Sequence, residues 1–268
     1  MPIPLLAHEK LTAEGAEPER WLLVLPGIFG SGRNWATVAR GVVRARPDWG
    51  AVLVDLRQHG DSQGFPPPHT MAAAAADLVA LAETLPGPAA AVLGHSYGGK
   101  VALAYAGRAP AGLRQLWVAD STPDAREPAG SAWAMLRVVR ELPAAFTSRQ
   151  ELVDALTGRG VERPVAQWMA TNLEREAEGI LRWRFDVDAI EALMRDFFRT
   201  DLWQVVESPP PDVEIHVLRA TRSSVLTDDA AARVAAAAGA RLHVVEGGHW
   251  LNADAPDALV ALLGQELP

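Results

Sequence analysis

The sequence predicts an α/β fold with a mostly parallel central sheet, helices on both faces and an inserted helical cap. Short apolar runs of strand length alternate with segments that carry apolar residues at helical spacing. Strands that are apolar throughout indicate a sheet covered on both faces. Residues 122–211 differ from this pattern, because they are rich in helix formers and aromatic residues and end in Ser208-Pro209-Pro210-Pro211.

Size, composition and charge are consistent with one folded core. The 268 residues are 49% hydrophobic. The net charge is −8 and the basic residues are scattered, which does not favour nucleic acid as a partner. Without cysteine there is no disulfide framework, thiolate nucleophile or cysteine metal site. Neither a signal peptide nor an apolar run of about 18 residues is evident, so we expect a cytoplasmic protein with no membrane partner.

The first half of the chain repeats strand and helix. Its strands share short apolar runs and are expected at residues 21–25, 51–55 and 89–93. Its helices share apolar residues at helical spacing and are expected at residues 35–46, 71–85 and 100–108. Thr70 is the expected N-cap of the second helix, and Pro110 ends the third.

The alternation continues on both sides of the aromatic segment. Strands are expected at residues 113–119, 213–218 and 241–245, and helices at residues 228–238 and 255–267. We therefore divide the chain into a core, residues 1–121 and 212–268, and a cap, residues 122–211.

A Gly-x-Ser-x-Gly pattern, residues 94–98, lies between a predicted strand and a predicted helix. In that context the serine occupies a strained turn, with its hydroxyl exposed and the next N–H free. Neither flank of such a turn has room for a Cβ, which explains both glycines. The pattern alone is only suggestive and a structural turn is the alternative, but its flanks predict that Ser96 is a nucleophile.

A serine hydroxyl is a poor nucleophile until a base takes its proton. His249 is the candidate base, since it follows the last predicted strand on a glycine-rich loop, at the edge where sites of parallel sheets collect. His59 is expected to pack a loop near the site, and His95 is expected to point away from its neighbour Ser96. The remaining histidines are expected to be structural or solvated: His8, His69, His216 and His243.

The glycine-rich loop after the first core strand, residues 26–32, can turn a main-chain N–H toward the nucleophile. The natural pair of oxyanion donors is then the N–H groups of Ile28 and Tyr97. Phosphate binding is the alternative for such a loop. However, neither Gly-x-Gly-x-x-Gly nor a Walker lysine followed by Ser or Thr is present.

Four segments resemble the α/β-hydrolase superfamily: residues 25–30, 54–62, 94–100 and 247–250. More narrowly, the chain is similar to small bacterial acyl esterases related to the mitochondrial abhydrolase domain-containing proteins, and cap residues 171–190 share that likeness. The resemblance covers most of residues 20–265 and implies the α/β-hydrolase fold. One departure is Pro26-Gly27, where the family usually has His-Gly.

The triad acid is a second departure. Superfamily members usually carry it after the penultimate strand, where this chain has Ser223 and Ser224. The nearest acids there, Asp228 and Asp229, fit the first turn of a helix, whose dipole stabilises negative charge.

Asp120 is the predicted acid. It follows the predicted strand at residues 113–119, beside the strand that carries Ser96, and so faces the same crevice. The resembling esterases place their acid after this strand, with a serine near the usual acid position. We expect Asp120 to orient His249, with Ser223 as an auxiliary hydrogen-bond partner.

Together these residues predict a serine hydrolase that cleaves carboxylic or thio esters with small to medium acyl groups through a Ser-His-Asp triad and an acyl-enzyme. Phe29, Trp183 and Trp250 are the candidate lining of an apolar pocket. No His/Asp/Glu cluster has metal-ligand spacing, so neither a metal nor an organic cofactor is expected. The expected partner is a small-molecule ester, and the expected assembly is a monomer or a homodimer.

Other functions can use the same constellation. C–C bond hydrolysis, cofactor-free haloperoxidation and amino-terminal prolyl cleavage are the enzymatic alternatives. Prolyl cleavage needs cap carboxylates for an ammonium group, whereas Glu174, Glu176 and Glu178 are expected on a solvated helix face. A haloalkane dehalogenase is disfavoured because its nucleophile is a carboxylate. A non-catalytic ligand receptor remains a third class, since a fold does not imply a function.

Overall fold

The structure is a computed structural model that describes residues 4–176 and 179–268, and its strands form two sheets. The strands are β1 (His8–Leu11), β2 (Arg20–Leu25), β3 (Trp49–Val54), β4 (Ala91–His95), β5 (Gln115–Ala119), β6 (Ala145–Phe146), β7 (Leu173–Arg175), β8 (Leu181–Trp183), β9 (Glu214–Ala220) and β10 (Ala240–Val245). The central sheet has the order β1-β3-β2-β4-β5-β9-β10. All its neighbours are parallel except β1 and β3, which confirms the predicted mostly parallel sheet.

Helices lie on both faces of this sheet and in the cap segment, residues 122–211. They are α1 (Ala36–Ala45), α2 (Met71–Ala82), α3 (Tyr97–Ala106), α4 (Ser131–Glu141), α5 (Arg149–Thr157), α6 (Arg163–Met169), α7 (Val187–Arg199), α8 (Trp203–Glu207), α9 (Asp228–Ala236), α10 (Leu251–Asp254) and α11 (Pro256–Glu266). Helix α1 packs with α11 on one face, and α2 packs with α3 on the other. Within the described ranges, every helix is too short or too polar to cross a membrane.

The side-chain period of a strand explains this layering. Leu23 and Leu25 of β2 belong to the core on the α2 and α3 face, whereas Leu22 and Val24 belong to the core on the α1 and α11 face. Both sets are buried, so the strand is apolar at every position after its first residue. The Thr70 side chain accepts a hydrogen bond from the Ala73 N–H, which confirms the predicted N-cap of α2.

Two differences from the expected elements have local causes. Strand β1 was not predicted; it is an antiparallel edge strand whose two central residues, Glu9 and Lys10, are exposed and charged. Such a strand has no apolar run to mark it. The closing helix expected at 255–267 is preceded by the short helix α10, and α11 begins at Pro256, a residue suited to the first helical position.

The cap segment, residues 122–211, is not purely helical. It contains α4 to α8, and also a three-stranded antiparallel sheet in the order β6-β8-β7. These strands have two or three residues each, which is too short for a periodic signal. The helix face expected for Glu174 is also corrected, because Glu174 lies in β7 and Glu176 follows that strand. Glu178 lies outside the described residues.

A buried ion pair holds the loop after β3. The Nε and Nη2 atoms of Arg57 donate to the two carboxylate oxygens of Asp77 in α2 at 2.6 and 2.9 Å. Only 5% and 2% of the two side chains are exposed. Burial raises the pKa of Asp77, while the guanidinium of Arg57 opposes that rise. The same loop carries His59, whose ring stacks on Tyr97, so the ion pair supports the packing beneath the Gly-x-Ser-x-Gly turn.

We predict that Arg57→Ala lowers the free energy of unfolding by about 3–5 kcal/mol, because it leaves a buried carboxylate unpaired. The double variant Arg57→Met/Asp77→Leu should lose less, since it buries no charge. Urea unfolding followed by circular dichroism measures both. As a matched control, Arg114→Ala breaks the exposed pair with Asp212 and should leave the midpoint nearly unchanged. Equal losses in the Arg57→Ala and Arg114→Ala variants would contradict the prediction.

Candidate active site

Ser96 stands at a sharp turn between β4 and α3. Its backbone has φ 51° and ψ −116°, a conformation that residues with a Cβ rarely adopt. A Cβ on Gly94 would lie 2.1 Å from the Gly98 carbonyl oxygen, and a Cβ on Gly98 would lie 2.4 Å from the Pro26 carbonyl oxygen. Both glycines are therefore required by space. The strained strand-to-helix turn predicted from the sequence is present.

Asp120 and His249 are directly connected. Asp120 follows β5, is fully buried and accepts a hydrogen bond from Nδ1 of His249 at 2.6 Å. Its second partner is the Ser223 hydroxyl, which donates to the same carboxylate oxygen, Oδ2, at 2.5 Å. The Ala220 N–H approaches Oδ1 at 3.4 Å. Because a carboxylate only accepts, Nδ1 of His249 carries the proton and Nε2 keeps its lone pair.

One cavity of about 440 Å³ is lined by both Ser96 and His249. The remaining lining is mostly apolar and comes from the core loops, from α4 and from residues 159–168; it includes Phe29, Met135, Val138, Val165, Trp168 and Trp250. Two exposed charged residues, Arg159 and Glu162, also line it. The Ser96 hydroxyl makes no hydrogen bond to a residue described in the structure. Catalytic hydrogen bonds are often long without substrate and tighten when it binds.

Trp183 is not among the residues that line this cavity. Its ring stacks on Phe185 with centroids 5.1 Å apart and meets Phe146 edge-on at 6.0 Å. This position corrects the pocket role expected for Trp183: the ring packs inside the cap. Of the aromatic residues predicted to line the pocket, Phe29 and Trp250 do so.

The two predicted oxyanion donors come from neighbouring strands. Ile28 follows β2 and Tyr97 follows the turn after β4, and β2 pairs with β4. Among the hydrogen bonds of the described residues, neither N–H donates to another group. Both are therefore available to an oxygen bound beside Ser96.

The loop that carries Ile28 is held by side chains that the sequence analysis did not single out. The Gly32 N–H donates to Oδ1 of Asp55 at 2.8 Å, and the Ser31 N–H donates to Oδ1 of Asn34 at 2.8 Å. The carbonyl of Phe29 accepts from Nδ2 of Asn172, a cap residue, at 2.9 Å. These contacts hold the loop in this chain, which has Pro26 where the resembling family usually has histidine.

His95 and His59 lie near Ser96, but both rings are engaged in packing or hydrogen bonds with other residues. Nε2 of His95 donates to the carbonyl oxygen of His249 at 2.7 Å, and burial, assisted by the nearby His249, lowers the pKa of His95 to about 3. Burial lowers the pKa of His59 to about 4, and its ring stacks on Tyr97 as the expected loop packing requires. Both rings are therefore neutral at pH 7. The His95–His249 contact joins residues 154 positions apart, so no local pattern could reveal it.

The competing acids and histidines lie elsewhere. Asp228 occupies the first turn of α9 beside Asp229 and pairs with Arg219. In the described part of the chain, neither acid is a hydrogen-bond partner of His249. The remaining histidines do not line the cavity: His8, His69, His216 and His243. Across residues 4–176 and 179–268, no group of three or more His, Asp or Glu side chains is arranged to hold a metal ion.

Comparisons with known proteins agree with this architecture. The sn-1-specific diacylglycerol lipase ABHD11 of Xenopus tropicalis is 26% identical over 252 residues, which cover 90% of this chain and 76% of that protein. Esterase YbfF of Escherichia coli strain K12 is 27% identical over 264 residues, which cover 96% of each chain. The solved structure of a marine microorganism esterase has a TM-score of 0.81 at 23% identity and covers 96% of this chain and 97% of its own.

The family model described as the alpha/beta hydrolase family matches residues 22–262, which is most of the chain. The turn at Ser96, the loop that carries His249 and every strand of the central sheet except β1 and the start of β2 lie within that match. The chain belongs to the alpha/beta hydrolase family.

Proposed function

We propose that this protein is a serine hydrolase that cleaves carboxylic or thio esters with small to medium acyl groups, with Ser96, His249 and Asp120 as its triad. The observation that carries the proposal is the hydrogen bond from His249 to the buried Asp120, beside a cavity that Ser96 also lines. The names of two relatives, an esterase and a diacylglycerol lipase, support ester hydrolysis in general.

In the first half-reaction, Nε2 of His249 takes the Ser96 hydroxyl proton while Oγ forms a bond to the ester carbonyl carbon. The carbonyl π electrons move to its oxygen, and the N–H groups of Ile28 and Tyr97 donate to the resulting oxyanion. The imidazolium is stabilised by Asp120. When the intermediate collapses, the bond to the leaving oxygen or sulfur breaks, and that atom takes the proton from Nε2. The products are the free alcohol or thiol and an acyl-Ser96.

The second half-reaction repeats these steps with water. His249 takes a proton from water as the water oxygen attacks the acyl carbon, and the same two N–H groups bind the oxyanion. The bond to Ser96 Oγ then breaks, and Oγ takes back the proton. The carboxylic acid leaves, and the enzyme returns to its starting state without a cofactor.

The cavity supports an apolar acyl group of limited length. Aliphatic and aromatic side chains form most of its lining, and its volume of about 440 Å³ lies in the lower part of the range of ligand pockets. The relative named a diacylglycerol lipase raises long-chain substrates as a competing possibility. The ranking of acyl chain lengths described below distinguishes the two.

A fluorophosphonate probe should add its mass at Ser96 and at no other residue, because the triad activates that hydroxyl alone. Peptide mass spectrometry locates the adduct. Ser96→Ala should abolish labelling and lower kcat by a factor on the order of 10⁴ or more, because the nucleophile is removed. Labelling or ester hydrolysis that persists in Ser96→Ala would contradict the role of Ser96.

Asp120→Asn should lower kcat by a factor on the order of 10⁴ with the fold intact, because the amide no longer selects the tautomer with a bare Nε2. Ser223→Ala should have a smaller effect, since the hydroxyl only supports the carboxylate. Steady-state kinetics and circular dichroism of each variant test this.

Asp228→Asn and Asp229→Asn serve as matched controls, because they make the same change in an exposed helix turn. Both should keep nearly wild-type activity. If either control variant loses its activity while Asp120→Asn remains active, the triad acid lies at the usual superfamily position and Asp120 does not serve as the acid.

Across esters with acyl chains of two to sixteen carbons, kcat/KM should rise about fourfold per methylene until the cavity is full and then fall. Val138→Phe should move the maximum to shorter chains, because Val138 lines the cavity. Val244→Phe makes the same change at an exposed site and should leave the ranking unchanged. A maximum at the longest chains, rising on emulsions, would indicate a lipase instead.

A further inference from the structure

We infer that Asn172 is a positioning residue for the oxyanion hole, through which a cap side chain fixes the orientation of the Ile28 N–H. The inference rests on the proposed function, because it matters only if that N–H receives the oxyanion. Asn172 ends a short 3₁₀ helix, Ala170–Asn172, between α6 and β7, and only 8% of it is exposed. Its Nδ2 donates to the Phe29 carbonyl oxygen at 2.9 Å across 143 residues of sequence.

Two peptide groups connect this bond to the oxyanion donor. The Phe29 carbonyl shares its peptide plane with the Gly30 N–H, and that N–H donates to the Gly27 carbonyl at 3.0 Å. The Gly27 carbonyl in turn shares its plane with the Ile28 N–H. In a trans peptide the C=O and N–H point in opposite directions, so fixing one end fixes the other. Two hydrogen bonds and two peptide planes therefore connect the Asn172 side chain to the Ile28 N–H.

Phe29 makes this support necessary. Its φ of 62° lies in the left-handed region, which is unfavourable for a residue with a Cβ. Without the bond from Asn172, the Phe29–Gly30 peptide can relax toward an ordinary conformation, and the Gly30 bond to Gly27 is lost with it. The loop also lacks one backbone hydrogen-bond donor, because Pro26 has no N–H.

Neighbouring contacts do not replace Asn172. Ser31 and Gly32 are held by Asn34 and Asp55, but those bonds fix the loop beyond the two peptides in question. Asn172 is not among the residues that line the large cavity; it borders a separate polar cleft with Phe29. Loss of the Asn172 side chain should therefore reduce the stabilisation of the transition state, in which the oxyanion forms. Binding of the acyl group should remain almost intact.

The test uses Asn172→Leu, of similar size but without a donor, and Asn172→Asp, of the same shape but unable to donate when ionised. We expect kcat per active site to fall about 10- to 100-fold, less than or comparable to the loss of a whole donor, while KM changes by less than about threefold. Fluorophosphonate titration counts active sites, so partly unfolded protein does not lower the measured kcat. A trifluoromethyl ketone of the same acyl group should lose affinity by the same factor as kcat/KM.

Arg175→Met is the matched control. It removes another side-chain-to-carbonyl hydrogen bond of the cap, to Gly179, at an exposed position three residues away. It should leave kcat and ketone affinity unchanged. A kcat within about twofold of wild type in either folded Asn172 variant would overturn the inference, and so would a change confined to KM.

Labelling of Ser96 and the kcat of the Asn172 variants distinguish an error in the proposed function from an error in the role of Asn172. If wild-type protein hydrolyses no ester and Ser96 takes no probe, the proposed function is wrong and the inference falls with it. If Ser96 is labelled, Ser96→Ala is inactive and either folded Asn172 variant remains at wild-type kcat, only the inference is wrong. A fall in kcat without loss of ketone affinity would also overturn it, since an oxyanion role requires both.

Discussion

The site depends on one constraint, which is that the carboxyl ends of five neighbouring parallel strands meet at one edge of the sheet. In sheet order, β2, β4, β5, β9 and β10 are followed by the Ile28 loop, Ser96, Asp120, Ser223 and His249. Each group therefore reaches its neighbour from a rigid strand end instead of along a flexible chain. The helices on both faces hold the sheet rigid, and the sheet sets the distances between the groups at its strand ends.

That geometry is compatible with the proposal that Asp120, on another strand than the usual one, is the triad acid. Asp120 follows β5, and the usual superfamily position follows β9, the strand beside it. A carboxylate from either end can approach the His249 loop. A buried carboxylate needs hydrogen-bond partners, and the Ser223 hydroxyl, which follows β9, donates one hydrogen bond to Asp120. The serine thus supports the carboxylate that we propose as the triad acid.

The sequence predicts those parts of the molecule that depend on local pattern. Buried strands, the N-cap at Thr70 and the turn at Ser96 all follow from spacing and glycine sterics. Strand β1 and the cap sheet could not be predicted, because a charged edge strand and strands of two or three residues have no period. Trp183 shows a second limit, since the sequence does not reveal whether an aromatic residue of the cap lines the cavity or packs within the cap. The contact of Asn172 with Phe29 joins distant segments and is visible only in the fold.

The cap is coupled to the core by buried polar contacts as well as by packing. Nζ of Lys100, one turn into α3 after Ser96, donates to the carbonyls of Asp124 and Phe197 at 2.6 and 2.7 Å, and burial lowers the pKa of Lys100 to about 8. Asn172 makes the corresponding link to the loop that carries Ile28. Lifting the cap would break both links and leave buried donors or acceptors unpaired, which is costly. The cap is therefore tied both to α3, which follows Ser96, and to the loop that carries Ile28, and any movement of the cap away from the core has to break these hydrogen bonds.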